Sequence, residues 1–157
     1  MVQKMFLGEI LIQKKIITQE QLNAALVEQK RTSQILGSIL LRRKVVTEKQ
    51  LLEALSEQFG VTFLEIGGKY DDYFDWQLLV KFSPSLIVDN HIFPIMAKGE
   101  DITFAINNPL DLWLMDEAQR QAKDYRINMV LITKKDMDEF IMRYRKQRRT
   151  KMDKFFE

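Results

Sequence analysis

Apolar positions in the first sixty residues form two runs with the same helical spacing. In the first run Leu7, Ile10 and Leu11 recur at i, i+3 and i+4, the period of one helix face. The segment Phe6–Gln29 aligns without gaps to Ile35–Gln58 at an offset of 29 residues, and 12 of the 24 positions are identical. A repeat of this length predicts two copies of one supersecondary unit, joined by a five-residue spacer.

Each copy has the pattern of a helix, a tight turn and a second helix. Thr18 stands three residues before Gln21, and Thr47 stands three residues before Gln50, which is the spacing of a capping box at a helix start. Gly60 is expected just past the last helix, as a C′ residue. The predicted helices span about 6–14, 19–30, 35–43 and 48–59. The second helix of each copy is expected to bury Leu22, Ala25 and Leu26, and Leu51, Ala54 and Leu55.

Beyond Gly60 short apolar runs alternate with turn signals. Lys98–Asp101 separates two of these runs and indicates a hairpin. The predicted strands span 61–66, 92–96, 102–106 and 127–132, and the predicted helices span 77–82, 110–123 and a last one capped by Thr133. The inward positions are Leu112, Met115 and Ala118, then Met137, Phe140, Ile141 and Tyr144. We therefore expect an α+β fold, with a helical repeat subdomain (1–60), a small α/β subdomain with a short mixed sheet (61–147) and a basic tail or linker (148–157).

Composition excludes several classes of protein. The chain is 46% hydrophobic and 29% charged, as ordinary globular domains are. Because it has no cysteine and a single histidine, His91, it cannot form disulfides, thiolate metal sites or a cysteine nucleophile. No apolar run approaches the ~18 residues that a membrane span needs, and Met1–Lys15 has no signal-peptide pattern. A cytoplasmic protein is expected.

The net charge is small, 24 − 22 = +2, but it is unevenly distributed. Residues 141–157 hold seven basic and two acidic residues, so this segment is +5 and the rest of the chain is −3. The body gives no electrostatic reason to expect nucleic acid. The tail has two readings: a patch for anionic lipid or RNA, or a solvated helix end leading into a following domain. The second reading is favoured.

Catalytic motifs are absent from the sequence. The one Gly-Lys pair, Gly68-Lys69, lacks the upstream glycine of a phosphate-binding loop, and no G-x-S-x-G occurs. Asp71, Asp72 and Asp75 could hold a cation, but a solvated loop with Asp75 as a helix N-cap is favoured. His91 is expected to be structural or solvent-exposed. The chain is therefore predicted to be neither an enzyme nor a cofactor protein.

The paired motif carries a family resemblance. Leu-Gly-x-x-Leu-Ile-x-x-x-Ile-Ile-x₄-Leu-x₃-Leu-x₂-Gln, present twice, resembles the MshEN-type N-terminal domain of type II secretion and type IV pilus assembly ATPases. The stretch Ala105–Asp111 resembles the second subdomain of that family. The resemblance covers about residues 5–145 and implies a domain with no catalytic machinery of its own. An ATPase core follows in the family, so the chain is expected to be an excised N-terminal piece or a stand-alone member.

The resemblance also implies a ligand, because some members bind cyclic di-GMP across the two motifs. The ligand-binding positions that this implies are Phe6, Leu7, Gly8, Leu11, Leu22, Leu26 and Gln29 in the first copy, and Ile35, Leu36, Gly37, Leu40, Leu51, Leu55 and Gln58 in the second. Ile12, Ile16 and Ile17, with Leu41, Val45 and Val46, are the remaining matched positions. The recurring glycines indicate either helix packing or close approach of a ligand.

The chain departs from the family motif at the same two places in each copy. Phe6 and Ile35 replace an arginine that could stack on a base and pair with phosphate. Lys15 and Lys44 replace a glycine; in a left-handed conformation each lysine costs about 1–2 kcal/mol. The parallel changes favour an altered ligand preference, or a retained fold with another use, over random decay.

Two functions therefore remain open. The favoured one is a docking or regulatory domain that couples the ATPase to a protein of the membrane platform or to a regulator, with no nucleic acid and no membrane span. In that case the chain is expected to be cytoplasmic and to associate peripherally with the inner membrane through its partner. The alternative is a cyclic di-GMP sensor. The candidate docking residues are Trp113, Met115 and the aromatic loop Tyr70–Trp76; ordinary core and loop packing is the favoured explanation for them.

Overall fold

The chain forms two compact units, divided in the sequence between Val61 and Thr62. The computed structural model describes residues 6–108 and 115–155. The predictions for Leu112 and Trp113 therefore lie outside the described residues. Within the described part of the chain no helix is both long and apolar enough to cross a membrane.

The first unit consists of four short helices, as the repeat predicts. They are α1 (Leu7–Gln13), α2 (Gln19–Thr32), α3 (Leu36–Arg42) and α4 (Glu48–Phe59). Both predicted capping boxes are present. The Thr18 hydroxyl accepts from the backbone N–H of Gln21 at 3.2 Å while the Gln21 side chain accepts from Thr18 N–H at 2.8 Å. Thr47 and Gln50 repeat both hydrogen bonds at 3.1 and 2.9 Å.

The turn after the first helix of each copy has a left-handed residue at its centre. Lys15 has φ 61° and Lys44 has φ 60°. After α1, the N–H of Ile16 donates to the carbonyl of Leu11 at 2.9 Å, and the N–H of Lys15 donates to Ile12 at 2.9 Å. These two bonds define a Schellman motif, and the same pair of bonds closes α3 at Lys44 and Val45. The structure therefore places a lysine in a left-handed conformation at both positions where the family motif has glycine.

The four helices share one core to which both copies contribute. The first helix of each copy packs against the second helix of the other copy, so that α1 contacts α4 and α2 contacts α3. The fully buried members of this core are Leu11, Ala25, Ile39, Leu40 and Ala54. This reciprocal packing relates the two copies by an approximate two-fold axis.

One predicted core position in the repeats is wrong. Leu26 is exposed at 36% of its surface, whereas Leu55, its equivalent, is half-buried. The buried residues of α2 are Leu22, Ala25 and Glu28, which succeed one another in steps of three. A stripe with that step turns around the helix, away from the i+4 position that Leu26 occupies.

The second unit is built on a four-stranded mixed sheet in the order β1-β4-β3-β2. The strands are β1 (Thr62–Phe63), β2 (Phe93–Lys98), β3 (Asp101–Ile106) and β4 (Arg126–Leu131). The hairpin of β2 and β3 is antiparallel, and β4 runs parallel to β1 and β3. The α+β fold with a short mixed sheet is confirmed, although β1 is shorter than its apolar run suggested.

Helices cover this sheet and complete its core. They are α5 (Trp76–Leu79), α6 (Met115–Ala122) and α7 (Lys134–Phe155), with a 3₁₀ turn over Tyr70–Tyr73 and a π turn over Ser85–Asp89. The π turn begins directly after Pro84 and was not predicted. The inward positions of α7 are confirmed: Met137, Phe140, Ile141 and Tyr144 are all buried. Phe140 stacks on Phe93 with ring centroids 4.9 Å apart.

Candidate functional site

The two positions that carry arginine in the family motif lie at equivalent places in the first unit. Phe6 is the N-cap of α1 and Ile35 is the N-cap of α3, and both have extended backbone angles. Phe6 is 68% exposed and Ile35 is 55% exposed. Each repeat therefore presents one accessible apolar side chain at its motif-arginine position.

Most of the leucines in the predicted ligand site belong instead to the core. Leu11 and Leu40 have no exposed surface, and Leu36 and Leu55 are partly buried against the same cluster. The remaining buried members are Leu7, Leu22 and Leu51. These side chains shape the unit from inside, and the accessible members of the predicted site are Phe6, Leu26 and Ile35, with Gln29 and Gln58 half-buried.

The recurring glycines are explained by contact between the two helices of each copy. A Cβ on Gly8 would lie 2.8 Å from Cδ1 of Leu22, and one on Gly37 would lie 3.3 Å from Cδ2 of Leu51. Both glycines are buried in the first turn of their helices. Helix packing is therefore sufficient to account for glycine at both positions.

The glutamates that precede Gln29 and Gln58 connect the two copies. The Glu28 carboxylate in α2 lies 2.5 Å from the guanidinium of Arg42 and 3.5 Å from that of Arg43. The Glu57 carboxylate lies 2.5 Å from the Lys14 ammonium. Because Glu57 and Arg43 are each 29 residues beyond Glu28 and Lys14, the Glu28–Arg43 and Glu57–Lys14 pairs are related by the repeat.

Glu28 is the buried charge of this unit, and sequence reasoning missed it. Its side chain is 10% exposed, against 52% for Glu57. Desolvation alone would raise the pKa of Glu28, but the hydrogen bond from Arg42 and the charges of Arg42 and Arg43 outweigh it and hold that pKa below its usual value. The sequence feature that could have pointed to Glu28 was the Glu-Gln pair at the end of both copies.

Lys15 and Lys44 place two cations at equivalent turns. Within residues 6–108 and 115–155 neither side chain makes a hydrogen bond or an ion pair. Their ammonium groups are therefore available to solvent or to an anionic partner. Their left-handed backbone is a cost that the family glycine would not carry.

Three aromatic side chains of the loop 70–76 pack against the rest of the second unit. Tyr70 meets Phe140 edge-on at 5.2 Å and Trp76 lies 5.7 Å from Tyr144, both on α7. Phe74 lies 6.3 Å from Phe93. Ordinary packing therefore accounts for these aromatics, and Met115, the other described candidate, is half-buried.

Polar groups in the same loop are also engaged. Tyr70 donates its hydroxyl to Asp136 at 2.6 Å; that hydrogen bond, with burial second, raises the pKa of Tyr70 to about 12. Asp75 caps α5 by accepting from the N–H of Gln77 at 3.1 Å, as predicted. Asp71 pairs with Arg143 at 2.7 Å. No group of three acidic or histidine side chains able to hold a metal occurs among the described residues.

Comparison with known proteins places these features in a family. The sequence model of the MshEN domain matches residues 69–151, just over half of the chain. A search of curated proteins finds no match. A solved structure of MshE with cdg (cyclic di-GMP) is similar at a TM-score of 0.77 and 24% identity, covering 89% of this chain and 99% of that one.

Two crystal forms of the N-terminal domain of XpsE are also similar. Their TM-scores are 0.64 and 0.53, at 17% and 18% identity. The alignments cover 87% and 91% of this chain, and 92% and 99% of the XpsE chains. At these identities the structural likeness shows the fold, and the family assignment rests on the sequence match. The chain belongs to the MshEN domain family, the type of N-terminal domain found in type II secretion and type IV pilus assembly ATPases.

Proposed function

We propose that this chain is a non-catalytic docking domain that couples its ATPase to a cytoplasmic segment of the membrane-platform protein. The observation that carries this proposal is the pair of exposed apolar residues Phe6 and Ile35 at the two arginine positions of the motif. An arginine fork can hold a phosphate or a guanine edge, and neither a phenyl ring nor an aliphatic chain can. Apolar and aromatic side chains are instead what protein interfaces use as anchors.

Further exposed apolar side chains on the same unit support docking. Val27 is 69% exposed, and Leu26 and Leu41 are each 36% exposed. Val27 has Ser56 as its equivalent in the second copy, so the exposed apolar surface is larger on the first copy. The partner is therefore expected to bind the first unit asymmetrically, in contrast to a near-symmetric dinucleotide.

The second candidate is a cyclic di-GMP sensor. The observation that favours it is the fold shared with MshE, whose structure holds that ligand. The two copies provide equivalent half-sites, and Gln29 and Gln58 are retained. The missing arginines argue for weaker binding, because each charge-assisted hydrogen bond contributes about 1.5–3 kcal/mol.

One pair of titrations separates the two candidates. The double variant Phe6→Arg/Ile35→Arg restores the family arginines, and Val80→Arg adds a charge at a 56% exposed residue of the second unit as the matched control. Calorimetry measures binding of cyclic di-GMP and of the purified cytoplasmic segment of the platform protein encoded with the ATPase. We expect the unmodified chain to bind the platform segment, and the double variant to lose that binding and gain cyclic di-GMP.

Sub-micromolar binding of cyclic di-GMP by the unmodified chain would replace the docking proposal with the sensor. Failure to bind the platform segment would reject docking to that partner. Equal weakening by Val80→Arg would show that the partner does not recognise the exposed residues of the first unit. Localisation in the cytoplasm, at the inner membrane through the partner, follows from the docking proposal and shares its test.

A further inference from the structure

A groove in the second unit lies between the segment after the π turn and the exposed side of α7. Its volume is about 680 Å³, and its lining includes Val88, His91, Ile141, Met142, Arg145 and Arg149. A volume of this size falls within the range of roughly 300–1,000 Å³ typical of small-molecule sites. All of its lining residues belong to the second unit.

The cations of the groove are not neutralised by the protein. The side chains of Arg145, Lys146 and Arg149 make no ion pair or hydrogen bond with any residue in the described ranges. By contrast, Arg143 on another face of α7 is paired with both Asp71 and Glu139.

The one carboxylate of the lining does not offset these cations. Asp138 is the only acidic lining residue given by the described structure, and its carboxylate lies 3.8 Å from the ammonium of Lys134. Three cations and one carboxylate leave the lining at 3 − 1 = +2 before His91 is counted. A cleft with one sign of charge concentrates ligands of the opposite charge.

The spacing of the two arginines suits a phosphate group. Arg145 and Arg149 are four residues apart on one helix, so their side chains leave the same face on successive turns. A guanidinium presents paired N–H donors that match two oxygens of a phosphate, and this match makes arginine the usual partner of such groups. Lys146 adds a point charge at the edge of the same face.

His91 forms the opposite wall in a conformation that costs energy. Its φ is +54°, and it follows the π turn, where the N–H of Asn90 donates to Ser85 and the N–H of Ile92 donates to Leu86. Glycine would adopt this backbone at lower cost. The imidazole makes no hydrogen bond with another described residue, so its donor and acceptor nitrogens are available to a ligand.

We infer that this groove binds a phosphate-bearing ligand, with Arg145 and Arg149 holding the phosphate. Val88 and Ile141, which are largely buried, and Met142, which is 57% exposed, supply contacts for an apolar part of the ligand. A soluble nucleotide and a phospholipid headgroup both present this chemistry. An acidic peptide has carboxylates in place of phosphate and is the alternative that the experiment excludes.

The test compares two double variants of the full chain. Arg145→Ala/Arg149→Ala removes the groove guanidinia, and Arg148→Ala/Lys151→Ala removes the same charge from the same helix outside the groove. The soluble probes are inorganic pyrophosphate and AMP, measured by calorimetry. The membrane probe is co-sedimentation with phosphatidylcholine vesicles with and without phosphatidylglycerol. We expect the groove variant to weaken binding of at least one probe by about tenfold or more, and the control by about twofold or less.

Each result decides the proposal. Pyrophosphate or AMP binding identifies a soluble ligand, and binding to anionic vesicles alone identifies a headgroup; both support the groove. Binding of no probe overturns it, as do equal losses from the two variants, which indicate general charge attraction, or equal competition by polyglutamate. Arg145→Lys/Arg149→Lys keeps the charge and removes the forks, so it tests the arginine geometry even if the alanine variant folds poorly.

Discussion

The carboxylate of Glu28 lies 2.5 Å from the guanidinium of Arg42, and this pair joins the second helix of one repeat to the first helix of the other. Glu57, the equivalent of Glu28, lies 2.5 Å from Lys14, and the repeat relates this pair to the 3.5 Å pair of Glu28 with Arg43. The two connections differ in solvation, since the Glu28 side chain is 10% exposed and the Glu57 side chain 52%. The ion pairs of both repeats therefore connect the second helix of one copy to the end of the first helix of the other, but their carboxylates differ in exposure to solvent.

Replacing Glu28 should destabilise the chain more than replacing its equivalent. Glu28→Gln leaves Arg42 and Arg43 without their buried partner, whereas Glu57→Gln removes a solvent-screened pair that contributes little. Thermal unfolding at pH 7 measures both, and the melting temperature should fall clearly for Glu28→Gln alone. Equal effects of the two variants would contradict the difference in burial.

The same pair predicts a pH dependence. The pKa of Glu28 in the folded chain lies below the ordinary value of 4.5, so the unfolded chain takes up the proton first as the pH falls. The contribution of Glu28 is therefore complete above pH 4.5 and is lost progressively below it. Urea unfolding across this window should show a smaller loss of stability for Glu28→Gln than for the unmodified chain.

Glycine at the two left-handed lysines should stabilise the chain. At φ 61° and 60°, Lys15 and Lys44 carry a strain of about 1–2 kcal/mol, which glycine would relieve. Part of this gain is offset because glycine increases the conformational entropy of the unfolded chain. We expect Lys15→Gly and Lys44→Gly each to raise the free energy of unfolding by about 0.5–1 kcal/mol. Lys30→Gly, in the last turn of α2, is the control and should lower the free energy of unfolding, by up to about 1 kcal/mol.

Alanine at the two motif glycines should have unequal effects. At Gly8 the added Cβ meets both Leu22 methyl groups at 2.8 and 3.0 Å, while at Gly37 the nearest Leu51 atom is 3.3 Å away. Overpacking costs about 1–3 kcal/mol, partly offset by the better helix propensity of alanine. We expect Gly8→Ala to be about 1 kcal/mol less stable than Gly37→Ala in urea unfolding. Adding Leu22→Val to Gly8→Ala should restore part of that difference.

The variant Tyr70→Phe should be less stable than the unmodified chain. Removal of its 2.6 Å hydrogen bond to Asp136 is expected to cost about 1–2 kcal/mol. Tyr73→Phe, in the same 3₁₀ turn with no hydroxyl partner among the described residues, is the matched control and should be nearly neutral.

The raised pKa of Tyr70 fixes the sign of its alkaline effect. Because its folded pKa of about 12 lies above the ordinary value of 10.0, its contribution is complete below pH 10.0 and is lost as the pH rises through about 12. Ultraviolet titration should show the same number of tyrosines ionising near pH 10 in the folded unmodified chain and in folded Tyr70→Phe, and an additional ionisation near pH 12 in the unmodified chain alone. A Tyr70 that ionises normally would contradict the hydrogen bond.

The sequence by itself determined the repeat, its helix boundaries and its caps. Those features depend on contacts within a few residues: the Thr18–Gln21 and Thr47–Gln50 capping boxes and the helical period of Leu7, Ile10 and Leu11. The alternation of short strands and helices likewise predicted a mixed sheet. The family resemblance came from the paired motif of the repeats and from the stretch Ala105–Asp111, and the sequence match to the MshEN domain over residues 69–151 confirms the family.

Only the tertiary structure decided which predicted positions are exposed and which are buried in the core. Leu11 and Leu26 are both motif leucines, yet one is fully buried and the other exposed, because the packing of α2 on α3 turns the buried stripe of α2 toward Glu28. Three other features also join residues that are distant in sequence. They are the burial of the Glu28 charge, the packing of Tyr70 and Trp76 on α7, and the groove that His91 lines together with Arg145 and Arg149. No local periodicity encodes such contacts, because they are set by how whole elements pack.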